Sequence, residues 1–167
     1  MLQVTDDSGF LALIVPATYV GFVESDWTLE QILTHFRNLM SQRTLLIWGT
    51  GLQGYWNVEV RFKKSTAKGF REISGPLRVV GGSLLLTNYE SLTMAAQFED
   101  ITLPEEHHRE LLVTLPDGDY SCRIIQMFDP ESEESAGDDQ PDFILELQES
   151  DGKIEVLNSI PWFNIGA

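Results

Sequence analysis

The stretch from Leu111 to Phe128, LLVTLPDGDYSCRIIQMF, constrains the chain more than any other, because a turn is written between two runs of alternating side chains. Val113 and Leu115 point to one face, and Leu112 and Thr114 to the other. Pro116 presets the φ of a turn corner, Asp117 suits the next position, and Gly118 takes the positive φ that a bulged hairpin loop needs. Beyond the turn, Tyr120, Cys122, Ile124, Gln126 and Phe128 alternate with Ser121, Arg123, Ile125 and Met127. Both faces grow apolar toward the end of this run, which predicts a central strand of a β-hairpin.

The rest of the chain is read against that hairpin. Residues 1 to 9 read as a polar lead-in, and Phe10 to Val15 and Thr18 to Val23 as two short strands around Pro16, or as one strand bent there. The period then changes: Leu29, Ile32, Leu33, Phe36, Leu39 and Met40 recur at helical spacing, and Thr28 with Gln31 fits a capping box. Further strands are expected at Leu45 to Trp48, Tyr55 to Phe62, Leu77 to Val80, Ser83 to Thr87, Leu92 to Phe98, Phe143 to Gln148 and Ile154 to Leu157. Gly81-Gly82 reads as a two-residue hairpin turn, and Ser150-Asp-Gly-Lys153 as another. Pro161, Trp162 and Phe163 are expected to tuck over an open edge of the core. About ten short strands and one helix predict a mainly β fold, an antiparallel β-sandwich or open barrel with one amphipathic α-helix (about 27–41) packed on it.

The length of 167 residues fits a single domain, and 43% hydrophobic with 22% charged residues can bury a core without staples. Cys122 is the one cysteine, so no intrachain disulfide forms, and a reducing cytoplasm is the simplest home. The apolar run Phe10 to Ala17 follows Asp6 and Asp7 with no base and is broken by Pro16, the wrong pattern for a secretion signal. The net charge of −15 disfavours nucleic acid and anionic membranes and favours a basic protein partner. That charge is uneven. Asp129, Glu131, Glu133, Glu134, Asp138, Asp139 and Asp142 fall in one stretch without a base, expected to be a mobile, solvated loop (129–142), and its acids are the candidate contact surface. Arg61, Lys63, Lys64, Lys68, Arg71 and Arg78 make an opposing basic stretch, with Lys63 to Arg71 expected as an exposed loop.

Motifs that carry chemistry are few. Gly49-x-Gly51-x-x-Gly54 has the letters of a dinucleotide fingerprint, yet the alternating Tyr55 to Phe62 run that follows predicts a strand where the mechanism needs a helix. It reads as a glycine-rich hairpin turn. Glu105, Glu106, His107 and His108 are the densest group of metal-capable side chains, but adjacent histidines diverge on either a helix or a strand. The acidic stretch lacks the spaced order of a calcium loop, and no cofactor or metal is expected. Cys122 reads as a small buried hydrophobe, and His35 as a boundary residue of the helix. Trp48, Trp56, Trp162, Tyr55 and Tyr89 either plug the core or line a small-molecule cleft.

From Leu112 to Ile124, the apolar strand followed by Leu-Pro-Asp-Gly-Asp-Tyr and a second strand resembles a local element of the competence J family, small bacterial β-sandwich proteins that inhibit a nuclease. The turn Trp48-Gly-Thr-Gly-Leu-Gln-Gly-Tyr55 likewise looks like turns of bacterial immunity-type sandwiches. The resemblance implies an inhibitor-like binding protein and assigns no site. Three functions stay open: a non-enzymatic protein-binding domain with an acidic contact surface, a small-ligand or carbohydrate-binding β-barrel, and an enzyme using Glu105, Glu106, His107 or His108. Partner identity and oligomeric state are not legible in the sequence.

Overall fold

Three runs that are apolar at nearly every position, FLALI, LLIWG and SLLLT, belong to strands covered on both faces, and they set the layering of the molecule. The computed structural model describes residues 1–132 and 139–163. Among these, the strands are β1 (Leu2–Asp6), β2 (Phe10–Ile14), β3 (Leu45–Gly49), β4 (Gly54–Arg61), β5 (Arg71–Val79), β6 (Ser83–Asn88), β7 (Leu112–Thr114), β8 (Gly118–Gln126) and β9 (Phe143–Glu149). The helices are α1 (Leu29–Ser41) and α2 (Tyr89–Gln97), with a 3₁₀ segment at Glu106–Leu111.

The strands form a β-sandwich of a five-stranded sheet, order β1-β4-β9-β8-β5, and a four-stranded sheet, order β3-β2-β6-β7. Leu46 lies over Gly75 of β5, and Trp48 meets Phe143 of β9 at 6.2 Å between ring centroids, so this side of β3 faces the larger sheet. The other side of the four-stranded sheet carries Phe10 and Ile47 toward Leu33 and Phe36 of α1 and Tyr89 of α2. The result is three layers with the smaller sheet in the middle. Burying each large side chain of α1 contributes roughly 1.5–3 kcal/mol before entropy is subtracted.

The expected sandwich and its amphipathic helix are both present. Thr28 caps α1 through its side chain, which accepts from the Gln31 N–H at 3.2 Å, while Gln31 accepts from the Thr28 N–H at 2.8 Å. Two refinements follow. The five-stranded sheet is mixed, because β4 and β9 run parallel, and a second helix, α2, packs beside the first. The stretch Leu92 to Phe98, expected as a strand, is helical because Asn88 accepts from the Ser91 N–H at 2.9 Å and Leu92, Ala95 and Ala96 bury one helical stripe.

The expected hairpins are corrected more deeply. Leu111 to Phe128 is not a hairpin: β7 pairs with β6 in the small sheet, whereas β8 pairs with β5 and β9 in the large one. Pro116 to Gly118 is a corner between sheets, closed by the Tyr120 hydroxyl donating to the Pro116 carbonyl at 2.7 Å, in the manner of a tyrosine corner. Gly81 and Gly82 have the positive φ values, 82° and 77°, that their turn chemistry demands, but they too carry the chain from β5 in one sheet to β6 in the other. Gly49 to Gly54 does the same between β3 and β4. Turn residues specify a reversal, and the partner of the departing strand lies elsewhere in the sequence. The expected strand at Thr18 to Val23 is loop, and that at Ile154 to Leu157 is absent because the place beside β9 is filled by β4. Residues 2–6, expected as a polar lead-in, pair with β4 as β1.

The corners are joined in pairs. At one end of the sandwich, Gly82 N–H donates to Asp117 at 2.7 Å and Leu115 N–H to the Gly82 carbonyl at 3.1 Å. At the other end, buried Asp6 takes five donors: the N–H groups of Ser8, Gly9 and Phe10, the Thr50 hydroxyl at 2.8 Å and the Trp56 indole at 3.3 Å. Replacing Asp6 with alanine orphans buried donors on three segments. We expect Asp6→Ala to lower unfolding stability by at least ~3 kcal/mol in denaturant melts, with Asp6→Asn, which keeps one acceptor, falling between it and the wild type.

Candidate binding surface

The acidic connection between β8 and β9 begins and ends at one tied point. Met127 N–H donates to the Asp142 carbonyl at 2.8 Å, and Asp142 in turn exchanges hydrogen bonds with the Asn57 backbone, both at 2.8 Å. Burial pushes the Asp142 carboxyl above its usual range although the Asn57 N–H pulls the other way. Asp142 is therefore part of the stem. Of the six candidate contact acids, Asp129, Glu131 and Asp139 are within the described residues, whereas Glu133, Glu134 and Asp138 lie outside them. Asp129 accepts from the Glu131 N–H at 2.9 Å, and Pro130 packs against Gly51 of the β3–β4 corner.

Beside this stem is Arg71, whose guanidinium stacks over the Trp162 ring at 4.4 Å and donates to Gln126 at 2.6 Å. Its partial burial pulls its pKa down, and Asp129 opposes that shift. Trp162 and Phe163 lie where expected, over the open end of the core: Gly49 N–H donates to the Pro161 carbonyl at 2.9 Å, and Phe163 meets Phe10 at 5.5 Å.

The basic stretch forms a strap over the outer face of the large sheet. Arg123 and Glu146 sit opposite each other on β8 and β9, pointing away from the core. Arg123 donates to Glu146 at 2.7 Å, to the Ala67 carbonyl at 2.6 Å and to Glu72, while the backbone and hydroxyl of Ser65 donate to Glu146. Lys63, Lys64 and Lys68 are exposed on that strap. Below Lys64 opens a polar cavity of about 280 Å³, floored by Arg123, Glu146, Ser74, Ser121 and Gln148. Burial alone would raise the Glu146 carboxyl, but hydrogen bonds from Ser65 and Arg123 outweigh it and hold the group below its ordinary 4.5. The Arg123 hydrogen bond depresses Glu72 as well. Sequence reasoning missed this ion pair, although its signal is present: one acid inside FILEL and one base inside YSCRII are unusual in strands otherwise apolar.

The remaining candidates separate. His107 and His108 stack on each other at 3.9 Å in the 3₁₀ segment, and burial together with His107 lowers the His108 pKa. Among the described residues no three His, Cys, Asp or Glu side chains gather as metal ligands. Strand β4, not a helix, follows the glycine-rich corner, so the corner does not open a helix. Cys122 is fully buried, and its thiol is pushed up to about 12 by burial first and Glu146 second. Trp48 and Trp56 pack on Phe143 and fill the core, whereas Tyr55 is exposed. His35 lies half-buried at the edge of α1, as expected. Among the described residues no helix is long and apolar enough to cross a membrane.

The arrangement of two sheets joined by crossing corners has solved counterparts. The structure matches the protein of crocagin biosynthetic gene J with a TM-score of 0.57 at 15% identity, over 89% of this chain and 93% of that one. It also matches ComJ from Bacillus subtilis, an inhibitor of the DNA degrading activity of NucA, with a TM-score of 0.51 at 10% identity, over 89% and 94% of the two chains. The chain has a ComJ-like fold. The local resemblance carried by Leu112 to Ile124 thus extends to the whole architecture. No protein-family profile matches the chain, and no curated protein sequence does.

Within the ComJ-like fold, the strap gives a stability prediction with a defined sign. Glu146 has a depressed folded pKa, so its contribution is present above about pH 4.5 and is lost as pH falls through the folded value. Arg123→Ala leaves buried Glu146 without its counter-ion, held by Ser65 alone, and is expected to cost about 3 kcal/mol at neutral pH. In that variant only Ser65 opposes the effect of burial, so the depression of the Glu146 carboxyl shrinks and the difference from wild type narrows on acidification. Urea melts from neutral to acid pH measure both.

Proposed function

We propose that the chain is a non-enzymatic, inhibitor-type binding domain that meets a basic protein through the acidic connection between β8 and β9. The observation carrying this reading is the concentration of seven acids and no base in residues 129–142, on a segment whose two ends are pinned to the large sheet at Met127 and Asp142. The pinned ends bring both flanks of the segment to one place on the large sheet, so its acids leave from a single point. Carboxylates in such numbers accelerate encounter with a cationic surface and repel nucleic acid and anionic lipid. The ComJ-like fold supports the inhibitor class, since ComJ is an inhibitor of the DNA degrading activity of NucA. In this reading residues 1–167 act as one domain in a bacterial cytoplasm, a setting that suits a lone buried thiol.

The alternative of a small-ligand or carbohydrate barrel loses its main support, because Trp48 and Trp56 fill the core and the two sheets form an open sandwich. The test is capture of partners by the immobilised chain at low and high salt, repeated with the six contact acids changed to their amides. Neutralising the segment is expected to slow association by roughly tenfold at low salt and to flatten the salt dependence. A partner set bound equally by both forms and indifferent to salt overturns the reading.

A further inference from the structure

We propose that a second surface, where residues 20–24 lie along the C-terminal half of α2, docks a basic amphipathic helix of a partner protein. It is on the helical side of the small sheet, and it stands independently of the acidic connection on the large one. Four apolar side chains are left uncovered there: Val20 is 66% exposed, Phe22 40%, Met94 43% and Phe98 42%. Their contiguity follows from the backbone. Val23 and Glu24 both donate to the Ala96 carbonyl, at 2.9 and 3.1 Å, and a Cβ on Gly21 would meet the Ala95 methyl at 3.0 Å. Val20 and Phe22 therefore flank the residue that touches α2, and Phe98, the C-cap of that helix, is tied to Met94 by donating its N–H to the Met94 carbonyl at 3.0 Å.

Charge selects the occupant. The chain has no lysine or arginine from Met1 to Phe36 or from Val79 to His108, so both segments that build the patch are free of base. Their charges are all acidic: Glu24, Asp26, Glu30, Glu99 and Asp100 are exposed around it. Two copies meeting through this patch would bring like charges together, and an anionic bilayer is repelled for the same reason. A helix presenting apolar residues at i, i+3, i+4 and i+7 with lysine or arginine on its flanks satisfies both parts of the surface. Met94 suits such a seat, because an unbranched thioether repacks against varied side chains.

The probe is a synthetic helical peptide with leucines at that spacing and lysines elsewhere, titrated by fluorescence anisotropy against the full chain. Binding that weakens with salt, falls about tenfold in Phe22→Ser/Met94→Ser, and persists when the six acids of the β8–β9 connection are changed to amides supports the proposal. Circular dichroism checks that the double variant is folded, and Val20→Ser, at the most exposed position, replaces it otherwise. No binding to the wild type, equal binding to the patch variants, loss only in the amide variant, or equal binding of the same peptide with glutamates for lysines overturns it. Concentration-dependent dimerisation removed by the patch variants also overturns it, since the occupant would then be a second copy.

Discussion

One carboxylate holds together two of the four places where the chain changes sheets. Asp6 ends β1 in the large sheet, and its two oxygens gather the turn that starts β2 in the small sheet, the Thr50 hydroxyl at the β3–β4 corner, and the Trp56 indole on β4. Each of those segments is a crossing point. Gln126 extends the set by donating to the Thr50 carbonyl at 2.7 Å, and Arg71 completes it by reaching Gln126 and stacking on Trp162. An apolar side chain at residue 6 would leave these polar groups facing a dry interior, where each unmade bond is expensive. The bonds between connections fix the ends of the two sheets, and the packed core between them holds the rest.

That dependence explains which parts of the fold were legible. The α1 helix is written in full by its apolar stripe and capping box, and the central place of β8 by its two apolar faces. The corners at Pro116, Gly81 and Gly49 are written only as reversals. A hairpin and a sheet-to-sheet corner use the same residues, so local chemistry predicted the bends and not the strands that pair across them. Helix α2 was hidden because only Leu92 is large in a buried stripe completed by Ser91, Ala95 and Ala96, which carry little periodic signal, and its Asn88 cap was the better clue. At the surface, clustering revealed the acidic segment directly, whereas the Arg123–Glu146 pair depends on strand register, which no short stretch contains.

Charge on this molecule is arranged by layer. The outer face of the large sheet carries the bases of the strap, held down by a buried ion pair, and the acidic segment leaves the same sheet nearby. The helical side has acids around uncovered apolar groups and lacks bases in the segments that form them. A cationic partner thus meets attraction from two directions and local repulsion at the strap, so its approach is oriented before contact.

The position of β9 has a consequence for how the chain acquires its shape during synthesis. Strand β9 is the last among the described residues and the middle one of its sheet, so β1-β4 and β5-β8 stay unjoined until it inserts, and its parallel partner β4 was made more than eighty residues earlier. A nascent chain lacking residues 143–149 presents two half-sheets with bare inner margins, open to pairing with other nascent chains. Closure is therefore a long-range event of the slow kind that high contact order imposes, and the large sheet becomes continuous only after residues 143–149 have been made.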